Sequence, residues 1–227
     1  MDLIIVRHGQ TAWNREKRLQ GHLDLPLDAT GREQAEAVGR RLKTFPIAAV
    51  VSSDLCRAVE TAQIALTASA IALPLATDPK LRERHCGHFQ GLTREEAAVI
   101  DSDGWARFAS RDPYYAPHGG ESLADLAERV RSWLLAWTRE ALDATVLLVT
   151  HGGVVDTFRR LVLAIPLSRP RDFTIPNAAL FHLRITHPPA PLAHRAGDCA
   201  PAAPCGEIVL WGGTDHLATA RDELAVM

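Results

Sequence analysis

Two histidine–glycine pairs stand where apolar runs end. Arg7, His8 and Gly9 follow "LIIV", and Thr150, His151, Gly152 and Gly153 follow "VLLV". A guanidinium beside a titratable ring is electrostatically awkward unless something anionic sits in front of both. In open parallel sheets, ligands bind beyond the carboxyl ends of the strands, where the strand order switches. If these two runs are neighbouring strands, His8 and His151 start from backbones about 5 Å apart. A third run, "VVSS", leads into the helix "LCRAVETAQIAL", with Asp54 as its expected cap and Arg57 at the third helical position. A cation there opposes the helix macrodipole, and such a local inconsistency often marks a functional position. An anion held by the helix N–H groups and by the guanidinium would resolve it. Singly, each residue has an ordinary explanation: a histidine after a strand is usually structural, and an arginine is usually solvated. Together Arg7, His8, Arg57 and His151 point at one anion, and phosphate fits best.

The elements that must place these residues are legible in the pattern. Uncharged strands at 3–6, 47–53 and 145–150 alternate with helices, which predicts a mostly parallel sheet with helices on both faces, a three-layer α/β sandwich. Thr30 and Glu33 form a T-x-x-E capping box for "TGREQAEAVGRRL". Ser122 and Asp125 play the same part for a long amphipathic helix whose buried stripe is Leu126, Val130, Trp133, Leu134 and Trp137. "LPLATDPKLRE" holds a short strand and a turn, and "GVVDTFRRLVLAI" is a helix stopped near Pro166. "FHLRIT" and "EIVLWG" form a strand pair, separated by a Pro- and Ala-rich stretch, 187–206, expected as a flexible loop. Residues 84–120, mixed in character, are expected as a small lid inserted into a single catalytic domain spanning 1–227.

Bulk properties narrow the class. The chain has 227 residues and a formal net charge of -2, so no global field draws it to nucleic acid or to an anionic membrane. Its opening apolar run is too short for a signal-peptide core or a membrane span. Cys56, Cys86, Cys199 and Cys205 show no C-x-x-C spacing and read as reduced thiols of a cytoplasmic protein, a Cys199–Cys205 bridge being the alternative. His85 and His88 flank Cys86 without a metal-ligand pattern.

With those residues in hand, the sequence resembles the histidine phosphatase superfamily. "VRHGQTAWN", "QGHLDLPLDATGREQA", "SSDLCRAVETA", "LRERHCGHFQGLT", "GGES" and "VTHGGV" match its pattern in order, over most of residues 3 to 155. The resemblance implies that His8 is a nucleophile that becomes a phosphohistidine. It makes Arg7, Arg57 and His151 the pocket for the phosphoryl oxygens and Glu83 the proton donor to the leaving oxygen. Asn14, Gln20 and Gly21 match positions that touch the phosphoryl group or substrate. The physics agrees: a neutral imidazole attacks phosphorus and splits a very slow reaction into two steps, while guanidiniums stabilise charge on the equatorial oxygens. A carboxylic acid near a dianionic phosphate should have a raised pKa, which suits general acid work.

This implies a metal-independent phosphomonoesterase, without cofactor, acting on a small phosphorylated metabolite. Two alternatives stand beside it: a cofactor-dependent phosphoglycerate mutase, and a phospho-ligand binding protein with a dead site. Mutases of the superfamily carry a longer insert with an adjacent arginine pair. Here Glu83 to "GGES" spans under 40 residues with scattered Arg94, Arg107 and Arg111, and the pairs Arg40–Arg41 and Arg159–Arg160 fall on expected outer helices. The aromatic residues Trp105, Phe108, Tyr114 and Tyr115 of the insert look more like the phosphatases. None of His8, Arg57, Glu83 or His151 is missing, which counts against a dead site. The sequence leaves a homodimer open.

Overall fold

A computed structural model describes residues 1–191 and 203–217. The chain runs β1 (Asp2–Arg7), α1 (Ala12–Arg15), α2 (Ala29–Leu42), β2 (Ala49–Ser52), α3 (Cys56–Ser69) and β3 (Leu75–Thr77). Then follow α4 (Arg94–Ile100), α5 (Ser102–Ala109), α6 (Leu123–Glu140), β4 (Thr145–Thr150), α7 (Gly152–Leu163), β5 (Leu180–Ile185) and β6 (Gly206–Gly213). Single 3₁₀ turns lie at Pro79–Leu81 and Gly87–Phe89.

The strands form one sheet in the order β3-β2-β4-β1-β5-β6. β3, β2, β4 and β1 are parallel, and β5 is antiparallel to both β1 and β6. From β1 the chain crosses over β4 to β2, and from β4 it returns past β1 to β5. The strand order therefore reverses between β1 and β4, and a ligand crevice is expected beyond their carboxyl ends.

Period-two alternation along the central strands splits the core in two. Leu3 and Ile5 of β1, with Val146 and Leu148 of β4, face one side and pack against α6 and α7 through Leu126, Val130, Trp133, Leu134, Val154 and Phe158. Ile4 and Val6, with Leu147 and Val149, face the other side against α2 and α3 through Val38, Leu42, Ala58 and Ala62. Helices thus cover both faces, as the uncharged strands require. Gly39 lets α2 and α3 approach closely, since a Cβ there would lie 2.5 Å from the Ala65 carbonyl oxygen.

Three local readings change. The cap of α2 is Asp28, whose Oδ1 accepts from Gly31 N at 2.8 Å, so Thr30 and Glu33 lie inside the helix rather than forming its box. Trp137 is only partly buried at the margin of its cluster. Arg160 is not on an outer surface: it is 1% exposed and bound to Asp156. The box at Ser122 and Asp125 forms as read.

Residues 84–120 contain α4 and α5 but no strand. They hold an apolar cluster of their own, Cys86, Phe89 and Ala97, joined by Trp105, Phe108 and Tyr115, with Leu19 reaching in from the loop after α1. The Leu19 and Gly91 backbones tie the two pieces: Leu19 N–H donates to Leu92 O, and Gly91 N–H to Leu19 O. Of the stretch 187–206, residues 192–202 lie outside the described residues. Its far flank is anchored, because Cys205 is buried and its N–H donates to Val162 O at 2.9 Å.

Candidate active site

β1 and β4 pair in register, Arg7 opposite Thr150, so the next residues, His8 and His151, leave the sheet side by side. Their ring centroids are 5.1 Å apart. His8 is 3% exposed and His151 fully buried. Burial first, then the charges of Arg57 and Arg7, holds the His8 pKa well below 6.5. Burial and Arg57 hold down that of His151 in the same way, with further contributions from His8 and Arg7. Both rings are therefore neutral at ordinary pH.

The hydrogen bonds fix the tautomers. His8 Nδ1 lies 2.7 Å from the Gly9 carbonyl oxygen, which can only accept, so Nδ1 carries the proton and Nε2 the lone pair. Arg57 Nε donates to His151 Nδ1 at 3.3 Å, which leaves the His151 proton on Nε2 to donate to Ser53 Oγ at 2.8 Å.

Arg57 is fully buried. Its Nη1 donates to Leu23 O and its Nη2 to Gly21 O, both at 2.8 Å. These bonds hold the 20–23 loop over the strand ends. Arg7 Nη1 donates to Ile175 O.

The expected capping of α3 is corrected. The cap position is Leu55, with no side-chain cap, and Arg57 is the second helical residue. Asp54 instead binds Arg82, with oxygen–nitrogen distances of 2.7 and 2.6 Å. The first helical N–H, that of Cys56, donates to Asp24 Oδ1 at 2.7 Å. The conflict between Arg57 and the macrodipole is thus met by a carboxylate of the chain itself.

Glu83 sits at the start of α7, where Gly153 N–H donates to Oε1 and Oε2 at 3.1 and 3.0 Å, and Arg84 N–H donates to Oε1 at 2.8 Å. A Cβ on Gly152 would lie 3.8 Å from Arg7 Nε and 3.9 Å from Glu83 Oε2, so these two side chains flank one glycine. Glu83 also acts on Arg57: burial lowers the guanidinium pKa, and the Glu83 charge works against it. Arg7, His8, Arg57, Glu83 and His151 are accordingly neighbours in one crevice.

The remaining predicted positions fall around it. Gln20 is buried and its Oε1 has no partner. Gly21 takes a positive φ of 51°, and a Cβ on it would meet Gln90 Oε1 at 2.2 Å, so both shape and space ask for glycine. Asn14 closes the capping box of α1 with Thr11.

The sequence reading missed several contributors. Asn177 Nδ2 lies 3.0 Å from His8 O, 3.2 Å from Gly9 O and 3.2 Å from Asn14 Oδ1, which ties the backbone of the predicted nucleophile to Asn14. Ser53 was read only as the end of a strand. Gln90 Oε1 accepts from His22 N at 2.7 Å and supports the 20–23 loop. Nothing local flags Asn177, since its partners are more than 160 residues away. His88 is paired with Asp101, and among the described residues no group of three His, Cys, Asp or Glu side chains converges to hold a metal ion.

Comparison with known proteins shows the family. A profile of the histidine phosphatase superfamily (branch 1) matches residues 3–194. Phosphoglycerate mutase-like protein 4 of Arabidopsis thaliana is 44% identical over 156 residues, 68% of this chain and 67% of that one. Glucosyl-3-phosphoglycerate phosphatase of Mycolicibacterium vanbaalenii is 39% identical over 173 residues, 73% of this chain and 75% of that one. Among solved structures, mycobacterial glucosyl-3-phosphoglycerate phosphatase in complex with VO3 superposes with a TM-score of 0.77 at 30% identity, covering 94% of this chain and 99% of that one. The order of the motifs, the matched span and the shared fold make this chain a member of the histidine phosphatase superfamily.

Proposed function

We propose that the chain is a metal-independent phosphomonoesterase that acts on small phosphorylated metabolites through a phosphohistidine at His8. The observation that carries this reading is the lock between His8 Nδ1 and the Gly9 carbonyl at 2.7 Å. It leaves the Nε2 lone pair as nucleophile on a buried, neutral ring among fixed cations.

In the first step Nε2 attacks phosphorus as the ester P–O bond breaks. Glu83 gives a proton to the leaving oxygen. Arg7 and Arg57 hold the phosphoryl oxygens, joined by His151 when its Nε2–H exchanges Ser53 Oγ for the phosphoryl group, and so stabilise the charge on them. In the second step water attacks phosphorus, Glu83 takes up its proton, the P–N bond breaks, and neutral His8 and inorganic phosphate result. We read Asn14, Gln20 and Gly21 as further contacts to the phosphoryl group or the ester.

The phosphatase names of close relatives support hydrolysis. So does the state of the arginines in 84–120: Arg107 is engaged by Asp112 and Arg111 by Asp156, rather than paired to grip a second acidic group. We read 84–120 as a lid in one catalytic domain spanning 1–227. The unpaired thiols of Cys56 and Cys86 support a cytoplasmic setting, while Cys199, the partner in the alternative bridge to Cys205, lies outside the described residues. No helix among the described residues is long and apolar enough to cross a membrane.

The test is phosphate release from p-nitrophenyl phosphate by wild type and His8→Ala, with alkaline trapping of the phosphohistidine. Equal rates would remove the mechanism, and no phosphate release by either would leave a binding protein. A bisphosphoglycerate requirement with 3- to 2-phosphoglycerate exchange and negligible hydrolysis would make the chain a mutase.

A further inference from the structure

The proton donor assigned above stands on a stretch of backbone with little regular structure. Between the turn at Pro79–Leu81 and the turn at Gly87–Phe89, the chain is neither helix nor strand. Its carbonyl groups therefore need partners from outside, since an unpaired half-buried polar group is costly. One side chain of α6 supplies partners for two of them and for a third carbonyl in the preceding turn. Arg129 Nη1 donates to Lys80 O at 2.6 Å and to Arg82 O at 3.0 Å, and Nη2 reaches Glu83 O at 3.3 Å.

A second residue holds Arg129 in turn. Glu121 accepts from Arg129 Nε and Nη2, both at 2.8 Å. Glu121 also reaches the far side of Glu83: its Oε2 accepts from His85 N–H at 3.1 Å, and its own N–H donates to His85 O at 2.9 Å. The pair thus grips the chain before Glu83, at Glu83 and two residues after it. His22 adds a bond from Nε2 to Glu83 O at 2.7 Å. A planar guanidinium is suited to this, because its donors sit in a rigid fork that an ammonium lacks.

We infer that Arg129, set by Glu121, is a positioning residue that holds Glu83 at the leaving oxygen. It does not touch the phosphoryl group, and its effect passes through the backbone of 80–85. This rests on Glu83 being the proton donor. Its signature is dependence on the leaving group. A p-nitrophenolate departs without a proton, whereas an alkoxide requires one. Misplacing Glu83 therefore slows alkyl esters selectively.

The experiment measures kcat/KM for p-nitrophenyl phosphate and for a primary alkyl phosphate in wild type, Arg129→Met, Arg129→Lys, Glu121→Gln and Glu83→Gln. Thermal melts of each variant keep the assays below its unfolding transition. Arg129→Met is expected to lose at least ~10-fold on the alkyl ester and about 2-fold or less on the aryl ester, a fraction of the range for losing a general acid. Arg129→Lys recovers part of the alkyl rate. Should Arg129→Met not fold, the same selective loss is expected of Glu121→Gln and Arg129→Lys. Equal losses on both esters, or none, while Glu83→Gln is selective, would overturn the role of Arg129 alone. A Glu83→Gln variant without selectivity would remove the reading of Glu83 as donor, and the role of Arg129 with it.

Discussion

His8 and His151 lie with their ring centroids 5.1 Å apart, both buried and both neutral, with Arg57 donating to the second ring. Two imidazoles at that distance cannot both be protonated next to two arginines without an anion between them. The site is built for neutral rings.

That neutrality has a cost in acid. The pKa values of His8 and His151 are lowered from 6.5 in the folded protein, so the unfolded chain takes up protons first as pH falls. Their contribution to stability is unaffected above that value and turns against the fold below it. The urea midpoint should decline between about pH 7 and 5, and His8→Gln should decline less steeply. A variant as steep as wild type would contradict the assignment.

Gly153→Ala tests the seat of Glu83. A Cβ there would lie 2.2 Å from Glu83 Oε1, so the carboxylate must move. The protein should fold, with kcat/KM for an alkyl phosphate reduced by about 10- to 100-fold. Retained wild-type activity would show that Glu83 tolerates displacement.

Arg57→Lys keeps the charge and loses the fork. Lysine cannot reach Gly21 O, Leu23 O and His151 at once, as Arg57 does. Activity should fall by about 10²–10³-fold. The melting temperature should fall as well, since each buried carbonyl left unpaired costs about 1–3 kcal/mol.

Asp156 gathers three arginines on one carboxylate oxygen. Its Oδ2 takes Arg111 Nη2 at 2.9 Å, Arg160 Nε at 3.0 Å and Arg171 Nη2 at 3.3 Å. Burial works to raise its pKa, but the three guanidiniums win and hold it lowered from 3.8. Its contribution is present above that value and is lost as pH falls through the lower folded one. Asp156→Asn should destabilise the protein by about 3–5 kcal/mol in urea titration at neutral pH. A loss under about 1 kcal/mol would show that the cations find other partners.

Much of this could be read in the sequence, for physical reasons that differ by residue. His8 and His151 were legible because strand ends are local and β1 and β4 announce themselves as uncharged runs. The α6 cap was legible because Ser122 and Asp125 are three residues apart. What failed was long-range. Asp24 reaches the start of α3 from 32 residues away and takes the place expected for Asp54. The burial of Arg160 depends on Arg111 and Arg171 joining the same carboxylate from other loops. Asn177 touches His8 across almost the whole fold, and no spacing rule encodes such a contact.

The apolar cluster of Cys86, Phe89, Ala97, Trp105 and Phe108 is separate from the two clusters that bind helices to the sheet. That separation bears on evolvability. Side chains in this cluster can be exchanged without disturbing the packing on which folding depends. On the lid reading of 84–120, such exchanges would change which ester is admitted while Arg7, His8, Arg57 and His151 stay in place.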